Sequence, residues 1–235
     1  MSCHSESKKN KPFMRSYFLS LLVLVLALGG LASSAQQFNV RRFASQVDDH
    51  YNQLKTFKTA FTEIYQGPGI SRTESGTLWL KKPGRMRWEY HVPHEKLFLI
   101  TSDHAYFYVT GEPTAHKASV KNLDDIRSPL RYLLGKTKLE KELEGLSLAP
   151  DLQPIVAGDI VLRGVPKMMK DRVSSVVLEI SPTHQIHRIV IRGVDDTTTD
   201  FRFSQIAENI PVQDSLFRFT PPQGVQTIED NQVTQ

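Results

Sequence analysis

Gly76-Thr77-Leu78-Trp79-Leu80-Lys81-Lys82-Pro83-Gly84-Arg85-Met86-Arg87-Trp88-Glu89-Tyr90 decides how the rest of this 235-residue chain is read. Pro83-Gly84 is turn chemistry, and the residues on either side of it follow a period of two. Leu78 and Leu80 alternate with Thr77, Trp79 and Lys81; after the turn Met86, Trp88 and Tyr90 alternate with Arg87 and Glu89. Successive strand residues point to opposite faces, so the stretch is an antiparallel pair with one apolar face and one wet face. If Lys82 points to the apolar side, so do Leu80 and Leu78, with Met86, Trp88 and Tyr90 facing the same way across the turn. Arg87 and Glu89 are then expected to face solvent.

The same strand signals recur outward from this hairpin. Thr59 to Tyr65 reads as a strand, Gly67-Pro68-Gly69 as a turn, and Arg72 to Lys82 as the first arm of the hairpin. Before them the period is helical: Phe43, Val47, Tyr51 and Leu54 form one stripe of a helix over 40–54, with Asn39 as N-cap. Downstream, Leu97 to Thr101, Ala105 to Thr110 and His116 to Val120 read as strands. Ser128-Pro129 opens a short helix, Leu130 to Leu134, stopped by Gly135. Lys138 to Leu146 is charged and has helical character. Four more strands follow, at Ile160 to Gly164, Ser174 to Ile180, Ile186 to Arg192 and Thr198 to Ile206, and the tail, Leu216 to Pro222 and Gly224 to Ile228, is extended. About ten or eleven hairpin-linked strands with two or three helices make a mainly β (α+β) chain whose long antiparallel sheet must curl as it twists. The sheet forms an incomplete or a closed barrel, with helices lidding an apolar concave side.

The N-terminus carries Lys8, Lys9, Lys11 and Arg15, then the apolar run Leu19 to Leu28, then Ala32-Ser33-Ser34-Ala35. These are the three parts of a secretory signal peptide, and an apolar core of about ten residues is short of the ~20 that span a bilayer. Cleavage is expected after Ala35, with Met14 as a second candidate start, leaving 36–235 as a single domain. The whole chain has 29 Lys and Arg against 25 Asp and Glu; without the leader's four basic residues and Glu6 the balance is 25 to 24. A near-neutral mature protein is not a general nucleic-acid binder. Cys3, the only cysteine, lies in the leader, so no disulfide, thiol chemistry or lipid-bearing cysteine is expected in the mature chain.

Several constellations look chemical and read more simply as turns. His91-Val92-Pro93-His94-Glu95 is broken by its proline, and His184-Gln185-Ile186-His187 precedes a strand, so neither has the helical spacing of a zinc site. Gly135-Lys136-Thr137 lacks the first glycine of a phosphate-binding loop, because position 130 is Leu130. Asp124-Asp125 and Asp195-Asp196 lack the alternating oxygen ligands of a calcium loop. With no nucleophile elbow and no catalytic thiol, no catalytic residue, metal ligand or cofactor is assigned.

Four segments together resemble the periplasmic outer-membrane lipoprotein carrier family, the LolA-type chaperones. They are the Gly-x-Leu-x-x-x-Lys-Pro hairpin at 76–90 with its central Trp88, Phe57-Lys58-Thr59-Ala60-Phe61-Thr62, Tyr106-Phe107-Tyr108, and Phe217-Arg218-Phe219-Thr220-Pro221-Pro222-Gln223-Gly224-Val225. The resemblance spans residues 40–228. It implies an incomplete barrel lidded by helices, a monomer, and a periplasmic chaperone for the acyl chains of lipoproteins. Its partners are acylated lipoproteins, an inner-membrane ABC-type release complex and, as an open question, an outer-membrane receptor. The lipid-binding cavity is expected to be lined by Tyr51, Phe61, Leu78, Leu80, Met86, Trp88, Tyr90, Leu130 and Leu133. The family's arginine before the proline bonds to the lid helix; here that position is Lys82, which keeps the charge without the planar five-donor fork. Carbonyls of Leu130 to Leu134 are its expected partners. A periplasmic lipid- or lipoprotein-sensing regulator, or an outer-membrane lipoprotein receptor of the same fold, is the alternative reading.

Overall fold

The computed structural model describes residues 1–2, 38–120, 131–134 and 138–229. Met1–Phe38 and Asn39–Gln235 form separate units. The expected leader with its Ala35 junction, the Ser128-Pro129 helix start, Asp124-Asp125 and Leu130 lie outside the described residues.

The second unit begins with helix α1 (Val40–Gln53), followed by β1 (Thr56–Gly67), β2 (Ile70–Lys81), β3 (Arg85–Val92), β4 (Lys96–Ile100), β5 (His104–Val109) and β6 (Thr114–Ser119). Two single-turn helices come next, α2 (Arg131–Leu134) and α3 (Leu139–Glu142), then β7 (Leu143–Leu148), β8 (Ile160–Pro166), β9 (Val173–Ile180), β10 (Ile186–Gly193), β11 (Thr198–Glu208) and β12 (Gln226–Glu229). Asn39 caps α1 as its sequence position suggests: its Oδ1 accepts the Arg42 N–H at 2.9 Å, satisfying one of the first-turn donors that lack helical partners. Phe43, Ala44, Val47 and Tyr51 form the buried stripe of the helix.

Among the described residues twelve strands join one sheet in the order β12-β6-β5-β4-β3-β2-β1-β11-β10-β9-β8-β7. Hairpins build both halves, and the long pairing of β1 with β11, Phe61 opposite Phe203, joins them. The sheet is strongly curved. β3 and β11 stand three strands apart, about 14 Å in a flat sheet, yet the Trp88 and Phe201 rings from those strands lie 5.5 Å apart on the concave side. The two edges, β12 and β7, do not pair with each other, so the barrel is incomplete. Among the described residues no helix is long and apolar enough to cross a membrane.

Three local expectations are corrected. Lys138 to Leu146 is helical only for the single turn of α3 and then becomes edge strand β7. The tail is not uniformly extended, since Asp214–Phe217 forms a 3-10 turn. The sheet is also not wholly antiparallel, because β12 pairs with β6 in parallel, Gln226 opposite Thr114. A parallel partner needs a crossover and not a hairpin, and the segment 209–225 supplies it by passing over the convex face. Lys81 Nζ donates to the Val212 carbonyl at 2.6 Å, Arg87 to the Leu216 carbonyl at 3.0 Å, and Arg85 pairs with Asp214 at 2.7 Å. Arg87 and Glu89 therefore do not simply face solvent: both are half-buried and bonded to each other, Arg87 Nε to Glu89 Oε1 at 2.6 Å.

Candidate functional site

The alternation of β3 sends Met86, Trp88 and Tyr90 to the concave side, where all three are buried. Leu78 and Leu80 from β2, Phe61 from β1, Tyr51 from α1 and Leu133 from α2 join them in one continuous apolar cluster. The aromatic members pack tightly. Trp88 and Tyr90 stack with centroids 5.8 Å apart, and Phe61 stands edge-on to both at 5.0 Å. Of the nine expected cavity residues, only Leu130 lies outside the described residues.

Helix α1 covers this face and is held there by polar contacts at several points. The Ile186 N–H donates to the Tyr51 hydroxyl at 2.8 Å, and the Leu139 N–H donates to the Asp48 carboxylate at 3.0 Å. His50 Nε2 lies 2.9 Å from Glu208 Oε1, which also accepts from Gln185. Burial raises the Tyr51 hydroxyl well above its usual pKa, so it stays neutral in the covered interior. Lys82 Nζ donates to the carbonyls of Tyr51 and, at 3.1 Å, Asn52. These carbonyls end α1, where helical partners run out and the dipole favours a cation. The described contacts thus tie Lys82 to the first helix.

Among the described residues the side chains beneath the end of α1 pack closely. Between Leu54, Phe57, Leu80, Lys82 and Leu133 the void measures about 10 Å³, space for at most one water. Pockets that hold small organic ligands run to roughly 300–1,000 Å³, so an apolar molecule seated at this point requires α1 or α2 to move away from the sheet. Larger hollows lie on the convex face. One of about 510 Å³ sits between Trp79 and the crossover segment, and one of about 540 Å³ lies beside Arg188, Asp200 and Arg202. The second has charged walls that do not suit a hydrocarbon, while the first sets Lys58 and Arg87 beside Trp79, Ile210, Pro211, Val212 and Leu216.

Polar groups sit among the aromatic residues at the end of the interior remote from Lys82. Tyr90 donates to Glu63 at 2.8 Å, while Glu74, directly opposite Glu63, pairs with Lys96 at 2.7 Å. Burial, with the Glu74 charge adding to it, raises the Glu63 pKa; burial and the Glu63 charge raise that of Tyr90. A carboxyl with a raised folded pKa costs stability once it ionises, so the Glu63 contribution is most favourable below the usual value of 4.5 and is lost as pH rises through the folded value. Glu63→Gln keeps an acceptor for Tyr90 without the charge. It is expected to raise the melting temperature at pH 7 and to change little at pH 4, as calorimetry across that range will show; equal effects at both values would exclude this origin.

Reading the sequence around one hairpin missed the opposite wall. Leu178 and Ile180 on β9, Ile186 and Ile189 on β10, and Phe201 and Phe203 on β11 belong to the same cluster. The Phe201-Arg202-Phe203 alternation was a usable signal for it. Glu63 carried no such signal, because only its tertiary partner Tyr90 explains an inward carboxyl. The second histidine motif serves the scaffold: His184 lies in the β9–β10 turn against Phe43, and His187 pairs with Asp159 at 2.6 Å. Asp195 accepts from the Thr197 backbone and hydroxyl in the β10–β11 turn.

Fold and interior together define a half-barrel whose apolar concave face is covered by helices. Residues 52–220 match the family described as outer membrane lipoprotein carrier protein LolA, and the chain belongs to that family. Its members are carriers and not a class of enzyme. The outer-membrane lipoprotein carrier protein of Nitrosomonas europaea is 28% identical over 216 residues, covering 89% of this chain and 98% of the relative. The carrier from Coxiella burnetii (strain CbuK_Q154) is 21% identical over 216 residues, covering 88% of this chain and 94% of its own. Among solved structures, an uncharacterized conserved protein from Thermus thermophilus superposes with a TM-score of 0.51 at 11% identity, covering 81% of this chain and 98% of that one; this likeness shows the fold alone.

Proposed function

We propose that the chain is exported by its 1–35 leader and works in the periplasm, where residues 36–235 carry the acyl chains of lipoproteins from an inner-membrane ABC-type release complex towards the outer membrane. The observation that carries this reading is the continuous apolar cluster on the concave face, covered by α1, with room for about one water where that helix ends beside Lys82. An acyl chain of about 16 carbons exposed to water costs on the order of 10 kcal/mol, at ~0.8 kcal/mol per methylene. A carrier must bury part of that surface and still let it go. An interior that closes on its own side chains does both, because the collapse that expels cargo recovers much of the burial the cargo supplied. Family membership supports the cargo class, and the apolar walls support acyl chains as the part that is bound.

The test is mass spectrometry of the protein purified with a co-expressed acylated lipoprotein, wild type beside Leu133→Glu. Leu133 is buried on α2 against the cluster, and a carboxylate there has no partner in a hydrocarbon environment. Triacylated cargo is expected on the wild type and at least tenfold less on the variant, which circular dichroism should show still folded. Empty protein in both samples would overturn the carrier reading.

A further inference from the structure

Within the apolar cluster one polar atom is left over. Trp88 is 1% exposed, and its indole Nε1 has no hydrogen-bond partner. In the described cluster it is the one side chain whose buried polar atom is unpaired. The tyrosines beside it are provided for: Tyr51 accepts from Ile186, and Tyr90 donates to Glu63. Buried donors are nearly always satisfied, and phenylalanine would fill an aromatic position here without an orphaned N–H. The rings of Phe61, Phe201 and Tyr90, 5.0, 5.5 and 5.8 Å from the indole, offer only weak π acceptors.

The chemistry of the missing partner is narrow. An indole N–H donates and cannot accept, so the partner brings an oxygen lone pair. Its surroundings are aromatic rings and aliphatic side chains, which disfavour a carboxylate or phosphate. What fits is a neutral carbonyl on an otherwise apolar molecule. Trp88 lies two residues along β3 from Met86, about 7 Å, and Met86 faces Leu80 near the Lys82 turn. A carbonyl at Trp88 therefore sits just inside the Lys82 end, with apolar side chains on both sides for the methylenes that follow.

We infer that Trp88 Nε1–H donates to the ester carbonyl at the head of a bound acyl chain. This rests on the carrier reading above and adds to it a fixed polar point within the apolar site. Burial of methylenes alone does not set how deep a chain enters; one donor among apolar walls does, because only one depth pairs both the donor and the carbonyl. Ester carbonyls come from the diacylglyceryl group of a lipoprotein or from a phospholipid, and the test separates the two.

The mature protein, labelled with nitrogen-15 in its tryptophans, gives two indole resonances, since Trp79 and Trp88 are the two in the chain. Trp79 lines the convex-face hollow and serves as the internal control. The probes are a diacylglyceryl-cysteine peptide, its dialkyl ether analogue and a short-chain phosphatidylglycerol. The diester peptide is expected to move the Trp88 indole proton downfield without moving that of Trp79, and to bind about fivefold tighter than the diether, the worth of one hydrogen bond. Trp88→Phe is expected to bind both peptides alike. The same shift with phosphatidylglycerol would support the donor role and give phospholipid as a source of the ester. Equal binding of diester and diether with an unmoved Trp88 resonance would overturn the inference, as would an ester preference that survives in Trp88→Phe. Should the variant not fold, the wild-type resonance and the ester-to-ether ratio decide by themselves. Failure of wild type to bind any of the three would instead remove the carrier reading, and the inference with it.

Discussion

Gly76→Ala is expected to remove about 4 kcal/mol or more of stability, a large share of the ~5–15 kcal/mol of a typical domain. A Cβ on Gly76 would stand 1.8 Å from the Glu89 carbonyl oxygen and 2.9 Å from the Tyr90 Cα. Both are backbone atoms of the neighbouring strand, so no rotamer change relieves the overlap. The pairing of β2 with β3 shifts register at Ser75/Gly76, and Gly76 lies opposite Phe61 on one side and Tyr90 on the other. Moving β3 outward would separate the Phe61 and Tyr90 rings, which meet edge to face at 5.0 Å, and would carry Trp88 with them. Gly84→Ala is the control. Gly84 has φ +64° and open space at its Cβ position, so alanine there incurs only the left-handed backbone penalty of roughly 1 kcal/mol. Urea unfolding of the two variants should rank them by at least a threefold difference in lost stability. A Gly76→Ala protein as stable as Gly84→Ala would mean that the strands are not so close.

The contrast between these glycines shows where sequence reading stops. The turn at Pro83-Gly84 and the alternation from Met86 to Tyr90 are local, so β3 and its buried face were legible from residues two apart. The same holds for α1, whose Asn39 cap and apolar stripe are both local signals. The close approach at Gly76 depends on a strand fourteen residues away and carried no local mark beyond the glycine itself. β7 was unreadable for another reason. It pairs only with β8 at the sheet edge, so it needs no apolar alternation; most of its residues are exposed, and the charged turn of α3 runs directly into it. β12 meets residues more than a hundred positions earlier, Gln226 against Thr114, and nothing within its four residues specifies a parallel partner. Among the interior residues, hydrophobicity named Met86, Trp88 and Tyr90. It could not say whether they enclose a cavity or fill one, because that depends on where the helices rest.

Lys82→Met is expected to hold acyl cargo about tenfold more tightly than the wild type and to release it correspondingly more slowly. Lys82 donates to the last carbonyls of α1, at Tyr51 and Asn52. Hydrogen bonds from a charged donor contribute ~1.5–3 kcal/mol when buried; with this side chain partly solvated, about 1–1.5 kcal/mol is the reasonable share, close to a factor of ten. The closed interior has room for about one water beside Lys82, so on the carrier reading closure and cargo compete for the same volume. Whatever weakens closure then raises apparent affinity by the same factor. Methionine retains an apolar stem against Leu54, Leu80 and Leu133, so the change removes the ammonium with little loss of packing. Hydrogen exchange provides an independent reading: in the empty variant, α1 amides from Val47 to Gln53 should exchange about tenfold faster, while those of β1 and β11 keep their wild-type rates. Lys82→Arg keeps the charge and offers more donors to the same carbonyls, so it should release cargo no more slowly than wild type. If Lys82→Met bound cargo more weakly, the lysine would be holding the cargo and not the helix. The competition between closure and binding would then have to be assigned to other contacts of α1, such as His50 with Glu208, Asp48 with Leu139, and Tyr51 with Ile186.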